Sequence, residues 1–272
     1  MSSLKRLTFQ YKGLCNTPNL WKEATFYEYP HIEIPFTENV DLTTIDTEKH
    51  HRLGKLVEVF YQKNLEAQID YHSHAHNVQI QIDKHQTIGE IDFIVETPEK
   101  EIHHIELAYK FYLYKTDIPY EIDKWVGPNL KDSLTQKLQK LTEKQFPMLH
   151  HPKTQELLQE TGVDTSNIQQ SIHLKGQLYV PFNLKNHTFP HVNNDCIQGF
   201  YISYTEIDSL FALATYHIPV KQDWLIDPKH HTEWISFTDA KPIILEHIKV
   251  NHSPLVWMKR GEIYERFFIT FW

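Results

Sequence analysis

Hydrophobic and polar positions recur along this chain with two periods, and the period switches where one element gives way to the next. From about 47 to 65, Leu53, Leu56, Val57 and Phe60 repeat at helical spacing, which predicts an amphipathic helix with Thr47 as its cap. Glu58 lies just off that stripe, on a face shared with Gly54, Tyr61 and Leu65. The period then drops to two. Val78, Ile80 and Ile82 alternate with Gln79, Gln81 and Asp83, and a second run follows from Ile88 to Glu96. Thr97-Pro98-Glu99-Lys100 reads as a hairpin-like break. In the third run, Glu101 to Leu113, one face carries His103, Ile105, Leu107, Tyr109, Phe111 and Leu113, mostly core material. The other carries Ile102, His104, Glu106, Ala108, Lys110 and Tyr112.

The helical period returns at about 129–145, after Gly127-Pro128-Asn129. There Leu130, Leu134, Leu138 and Leu141 form the expected buried stripe, and Lys137, Lys140 and Lys144 line another face. The polar stretch 151–170 reads as helical or loose, and Leu174 to Phe182 alternates like a fourth strand. Residues 1–46 read as an irregular lead-in with several prolines. The stretch 198–272 is mixed and aromatic-rich, ending in a strand at Phe267–Trp272 that packs on the body. The order over 47–182 is helix, three strands, helix, strand. It predicts an α/β core over 47–185, with residues 1–46 packed on it and a mixed α+β lobe at 186–272.

Composition narrows the function classes. The 272 residues are 40% hydrophobic, enough for a packed core. The 27 Lys and Arg against 35 Asp and Glu leave a charge of −8, so this is no globally basic nucleic-acid coat. Any such contact must use a local positive surface or a bound cation. The eight glycines are all far apart, which excludes a P-loop, a dinucleotide fingerprint and a G-x-S-x-G elbow. Two isolated cysteines, Cys15 and Cys196, fit a reducing compartment and make no metal knuckle. The first residues lack an apolar leader, and no run approaches a membrane span. A soluble, cytoplasmic protein without membrane contact is expected.

The acidic residues of the second and third strands are the strongest chemical signal. Period-two geometry puts Glu90 and Asp92 on one face, and Glu106 shares a face with Lys110. If the two strands pair, one carboxylate from each converges on one site. Hard cations such as Mg²⁺ take one or two carboxylates plus water and phosphate. Such an ion polarises a phosphoryl oxygen and activates water, while a nearby lysine offsets charge in the transition state. Carboxylates inside apolar strands cost several kcal/mol unless paired or metal-bound, which sets Asp92 and Glu106 apart from solvated surface acids.

These elements resemble the restriction-endonuclease-like core, αβββαβ, of the PD-(D/E)XK nuclease superfamily. GEIDFIV, HHIELAYKFYL and WVGPNLKDSLTQKLQKL look like an uncharacterised bacterial domain-of-unknown-function family assigned to it, most firmly over about 50–145. The resemblance implies Asp92 and Glu106 as metal ligands for Mg²⁺ or Mn²⁺, with Glu58 as the extra acid on the first helix. It implies a nuclease acting on nucleic acid, DNA first. The sequence departs from the usual Glu-x-Lys spacing, since Ala108 stands two residues after Glu106. Lys110 lies roughly 13 Å along the strand from Glu106, against about 6.6 Å for the usual spacing. Lys137 on the second helix is the alternative lysine. The rival reading is a catalytically inactive member of the fold that binds nucleic acid or a protein.

Other features have blander explanations. Doublets such as His50-His51 and His103-His104 look like composition bias among 19 histidines, and His72, His74 and His76 would be a transition-metal set only weakly. His104 is the exception, one step from Glu106 on the same face. Lys137 with its neighbours, and the aromatic residues Trp224, Trp234, Trp257, Phe267, Phe268 and Trp272, could touch phosphate or bases. A solvated helix face and core packing account for them equally well.

Overall fold

Apolar stripes too short to be stable alone become helices by packing on alternating strands. The computed structural model describes residues 2–22, 25–26, 29–46, 52–83, 86–208 and 213–272; Thr47 and the His50-His51 pair lie outside them. Five helices are described, α1 (Ser3–Asn16), α2 (Leu53–Glu66), α3 (Leu134–Lys140), α4 (Pro152–Glu160) and α5 (Phe237–Lys249). Short strands β1 (Thr25–Phe26) and β2 (Tyr29–Pro30) pair with each other. The main sheet contains β3 (His72–Asp83), β4 (Gln86–Glu96), β5 (Ile102–Tyr114), β6 (Trp125–Val126) and β7 (Gln169–Pro181). It continues through β8 (Ile197–Ser203), β9 (Thr215–His217), β10 (Ile235–Ser236), β11 (Leu255–Arg260) and β12 (Ile263–Thr270). Its order is β10-β9-β11-β12-β8-β7-β5-β4-β3, with β6 beside β5.

The sheet is mixed. β3, β4 and β5 form an antiparallel meander, whereas β5–β7, β7–β8 and β8–β12 run parallel. Strands 47–182 and strands of the C-terminal third therefore share one hydrogen-bonded sheet. The central pair β5–β7 is covered on both sides, as parallel strands require. On one side α1 and α2 pack against Ile105, Leu107, Tyr109 and Phe111. On the other, Leu134 and Leu138 of α3 pack against Tyr112, Leu174 and Leu178. Leu56, Val57 and Phe60 of α2 are at most 3% exposed, each contributing about 1.5–3 kcal/mol of burial. The aromatic Trp224, Trp257, Phe267 and Phe268 are buried core residues.

Three expectations change. The lead-in is not irregular throughout, because Leu7, Tyr11 and Leu14 form a buried i, i+4, i+7 stripe on α1. Gly13 lets that helix approach closely, since a Cβ there would strike the Leu225 carbonyl. The second helix starts at Leu134 rather than about 129, because the Ser133 side chain caps it by accepting from the Gln136 N–H at 3.2 Å. Leu130 consequently leaves the stripe. It sits in a turn at φ 56° and is 41% exposed. The stretch expected to continue as regular helix to 145 widens into a π turn over Leu141–Gln145.

One irregularity positions the site. β4 pairs with β3 along most of its length but with β5 only from Phe93 to Glu96, opposite Ile105 to Ile102. Beyond Phe93 the two strands part.

Candidate functional site

Where β4 leaves β5, Asp92 supplies a bond that the ladder no longer makes: its Oδ2 accepts from the Leu107 N–H at 3.0 Å. Glu106, 1% exposed, stands one residue earlier on β5, facing α3. Its Oε1 is 3.0 Å from His104 Nε2, and Gln145 Nε2 donates to its Oε2. Gln145 Oε1 in turn accepts from Lys137 Nζ at 2.9 Å. Behind His104, Gln170 Nε2 lies 3.2 Å from Nδ1 and donates to the Phe146 carbonyl at 2.6 Å. The Gln170 amide thus makes Nδ1 the acceptor, leaving the proton on Nε2 to bond Glu106.

Burial dominates the electrostatics of this group. It pushes the Asp92 carboxyl up to about 7, and the Glu106 charge beside it pushes the same way. Burial raises Glu106 to about 7 as well, against the attraction of Lys137. The two carboxyls are close enough to share a hydrogen bond and titrate as a pair. Burial lowers Lys137, while Glu106 and Asp92 hold it up. His104 is pushed down to about 4 by burial, so it is neutral at pH 7. A buried carboxyl, Glu106, and the half-buried Asp92 and Lys137 therefore share a poorly hydrated space with an excess of acid.

The other candidates are placed unequally. Glu58 comes from α2 and is bound by Lys55 at 2.7 Å, a lysine that also holds Glu90 at 2.7 Å. Burial raises Glu58 despite that ion pair, and the Asp92 charge adds to the shift. Lys110 shares the Glu106 face but binds Asp132 at 2.8 Å. The structure brings Asp92, Glu106 and Lys137 together with Glu58 at their margin, and leaves Lys110 on Asp132. Two participants had no sequence signal. Gln145 reaches Glu106 from the π turn that follows α3, and Gln170 acts from the second residue of β7, the cross-strand neighbour of His104.

A cleft of about 380 Å³ opens beside this group, lined in part by Glu58, Lys110, Lys131, Asp132, Lys137 and Lys221. Four lysines face two acids there, so a protein of charge −8 has a locally positive hollow. Asp92 and Glu106 lie outside its lining, behind Lys137.

Asp92 and Glu106 fit a hard divalent cation as an oxygen pair whose ionisation burial opposes and a cation would favour. Among the described residues no group of three or more His, Cys, Asp or Glu is arranged to hold a metal, so the rest of the shell would be water and phosphate oxygen. His74 lies 3.5 Å from Glu96, and the His72 and His74 rings meet edge to face at 4.6 Å.

Fold and site together define a mixed α/β protein with a buried carboxylate–lysine centre at a strand divergence. The family model described as Domain of unknown function (DUF1853) matches residues 37–269, and the chain belongs to that family. No curated protein and no solved structure matches it. No helix among the described residues is long and apolar enough to cross a membrane.

Proposed function

We propose that this protein is a divalent-metal-dependent phosphodiesterase acting on nucleic acid, DNA first, on a restriction-endonuclease-like core of α2, β3–β5, α3 and β7. The observation that carries the reading is the Asp92–Glu106 pair with Lys137 bonded through Gln145 where β4 parts from β5. Asp92 and Glu106 would hold Mg²⁺ or Mn²⁺, which supplies polarisation of a phosphoryl oxygen and a more acidic water. Lys137, already desolvated beside the carboxylates, offsets charge gathering on the non-bridging phosphate oxygens and takes the lysine role that Ala108 leaves vacant. His104 and Gln145 fix the two oxygens of Glu106, and Gln145 must turn aside for both to face a ligand. Glu58 needs release from Lys55 before it assists. Lys110, Lys131 and Lys221 line the approach for a phosphate backbone.

The test is cleavage of plasmid, linear, single-stranded and RNA substrates in Mg²⁺, Mn²⁺ or EDTA. Metal-dependent cutting is expected from the wild type and should fall at least about 100-fold in Asp92→Ala and Glu106→Ala. Undiminished cutting by either variant would sink the assignment. A second reading, a non-catalytic binding protein, draws on the near-complete burial of Glu106. It predicts no cutting and no heat of Mn²⁺ binding by titration calorimetry.

A further inference from the structure

A second polar interior lies on the other side of the sheet, where α1 and the 31–43 segment arch over the start of β7. The segments flanking it are bonded to β7 itself: the Leu20 N–H donates to the Leu174 carbonyl and the Ile32 N–H to the Ile172 carbonyl, both at 3.0 Å. Between them and α1 is a cavity of about 1470 Å³, lined by Asn19, His31, Glu33, Phe36, His173 and Lys175 among others.

The polar atoms of its floor are unevenly served. The Lys175 ammonium, on a residue 8% exposed, donates to the Thr17 carbonyl at 2.5 Å and lies 4.9 Å above the Phe36 ring. No carboxylate among the described residues makes an ion pair with it. Glu33 attracts it from a distance and is itself held by the Asn19 amide at 2.8 Å. His173, 2% exposed, lies with Nδ1 3.0 Å from the Ile32 carbonyl, so Nδ1 donates and Nε2 is a bare acceptor. The His31 ring is 5.8 Å away; its Nδ1 faces the Asn19 amide at 3.4 Å, which places its proton on an unpartnered Nε2. Asn19 Oδ1 also has no partner. Burial pushes His31 down to about 4 and His173 to about 3, so both rings are neutral at pH 7.

A buried ammonium without a carboxylate is costly to the fold, and so is each buried donor or acceptor left without a partner. One buried ammonium and three orphaned polar atoms thus belong to residues that line a single cavity, the three orphans closed to solvent as their side chains stand. We infer that this cavity is a binding site for a small organic anion that also carries a hydroxyl or amino group. Its anionic oxygens meet Lys175 Nζ, and a shift of the lining side chains on binding brings the His31 Nε2–H to those oxygens and His173 Nε2 and Asn19 Oδ1 to its hydroxyl or amine. The volume exceeds what a lone inorganic anion fills, and the Phe36 and Tyr11 walls suit an organic body. Carboxylate and phosphate are equivalent partners for a lysine, so the anionic group is either.

Two probes separate those sources: millimolar glycerol 3-phosphate and millimolar malate, each against chloride at equal ionic strength and neutral pH. The expected result is a rise of about 2–4 °C in melting temperature with one probe or both. That rise should vanish in Lys175→Met and at least halve in His173→Phe, which keeps the ring packed on Tyr61. A response to glycerol 3-phosphate alone assigns a phosphate, and to malate alone a carboxylate. No rise with either probe overturns the inference, as does an undiminished rise in a folded variant. If Lys175→Met does not fold, His173→Phe decides.

Discussion

The two sides of the parallel pair β5–β7 both bury charge, with opposite sign and opposite completeness. Toward α3 the surplus is acidic, and each named group has a bonded partner: Asp92 on the Leu107 amide, Glu106 between His104 and Gln145, Lys137 on Gln145. Toward α1 the surplus is one ammonium, and two neighbouring imidazole nitrogens go unpaired. The difference teaches that buried charge has two uses. A closed network stores an electrostatic penalty behind its own hydrogen bonds and opens only when a bond is exchanged. An open one leaves its valences free and waits for a solute.

The comparison breaks most sharply at Lys137. Lys137→Met removes the cation between two buried carboxyls, so a loss of about 3–5 kcal/mol is expected by urea unfolding at pH 8. At pH 5, where those carboxyls take up protons, the loss shrinks. Cleavage should drop about 100-fold or more. An equal stability loss at both pH values would remove Lys137 from the carboxyl network.

Asp92→Asn should act with the other sign. Asp92 and Glu106 hold their protons in the folded state up to about 7, while in the unfolded chain they release them near the ordinary carboxyl range. Between those limits the folded state binds more protons, so their ionisation lowers stability as pH rises, and the full penalty stands above about 7. Buried histidines such as His104 work oppositely, because protonation on acidification below their ordinary value favours unfolding. The informative quantity is therefore the difference between variant and wild type in EDTA. Asp92→Asn should gain on the order of 3 kcal/mol on the wild type between pH 5 and pH 8. A flat difference would show that Asp92 titrates normally.

The smallest effect is expected at Lys110. Its pairing with Asp132 is partly exposed, so Lys110→Ala should cost about 1 kcal/mol or less and leave cleavage within about threefold. A collapse of activity there, with Lys137→Met active, would reverse the lysine assignment.

Much of this was legible from residue order. Apolar runs bounded by a Pro-containing break located β4 and β5, and the period of two sorted the acids inside them onto faces. The helical stripe of α2 was legible for the same reason. What escaped depends on three-dimensional departures from period. Leu130 matches the leucine spacing, yet Ser133 offers a better start three residues later by capping, and the stripe gives no weight to caps. α1 carries its stripe among polar residues and is secured by contacts with the distant Leu225–Ile226 stretch. Gln145 joins the site only because the backbone widens at 141–145, and no propensity marks such a turn. Lys137 could be named as a candidate, but its selection over Lys110 depends on which acid each meets in space.

The bond from the Leu107 amide to Asp92 makes that amide a natural reporter. Most strand amides bond to carbonyls whose electron density is constant across pH, so their nuclear shieldings barely move. The Leu107 proton instead faces an oxygen whose charge comes and goes with one titration. In a ¹⁵N-labelled sample its cross-peak should travel downfield as the carboxylate forms, tracing the protonation of a hidden acid without touching it.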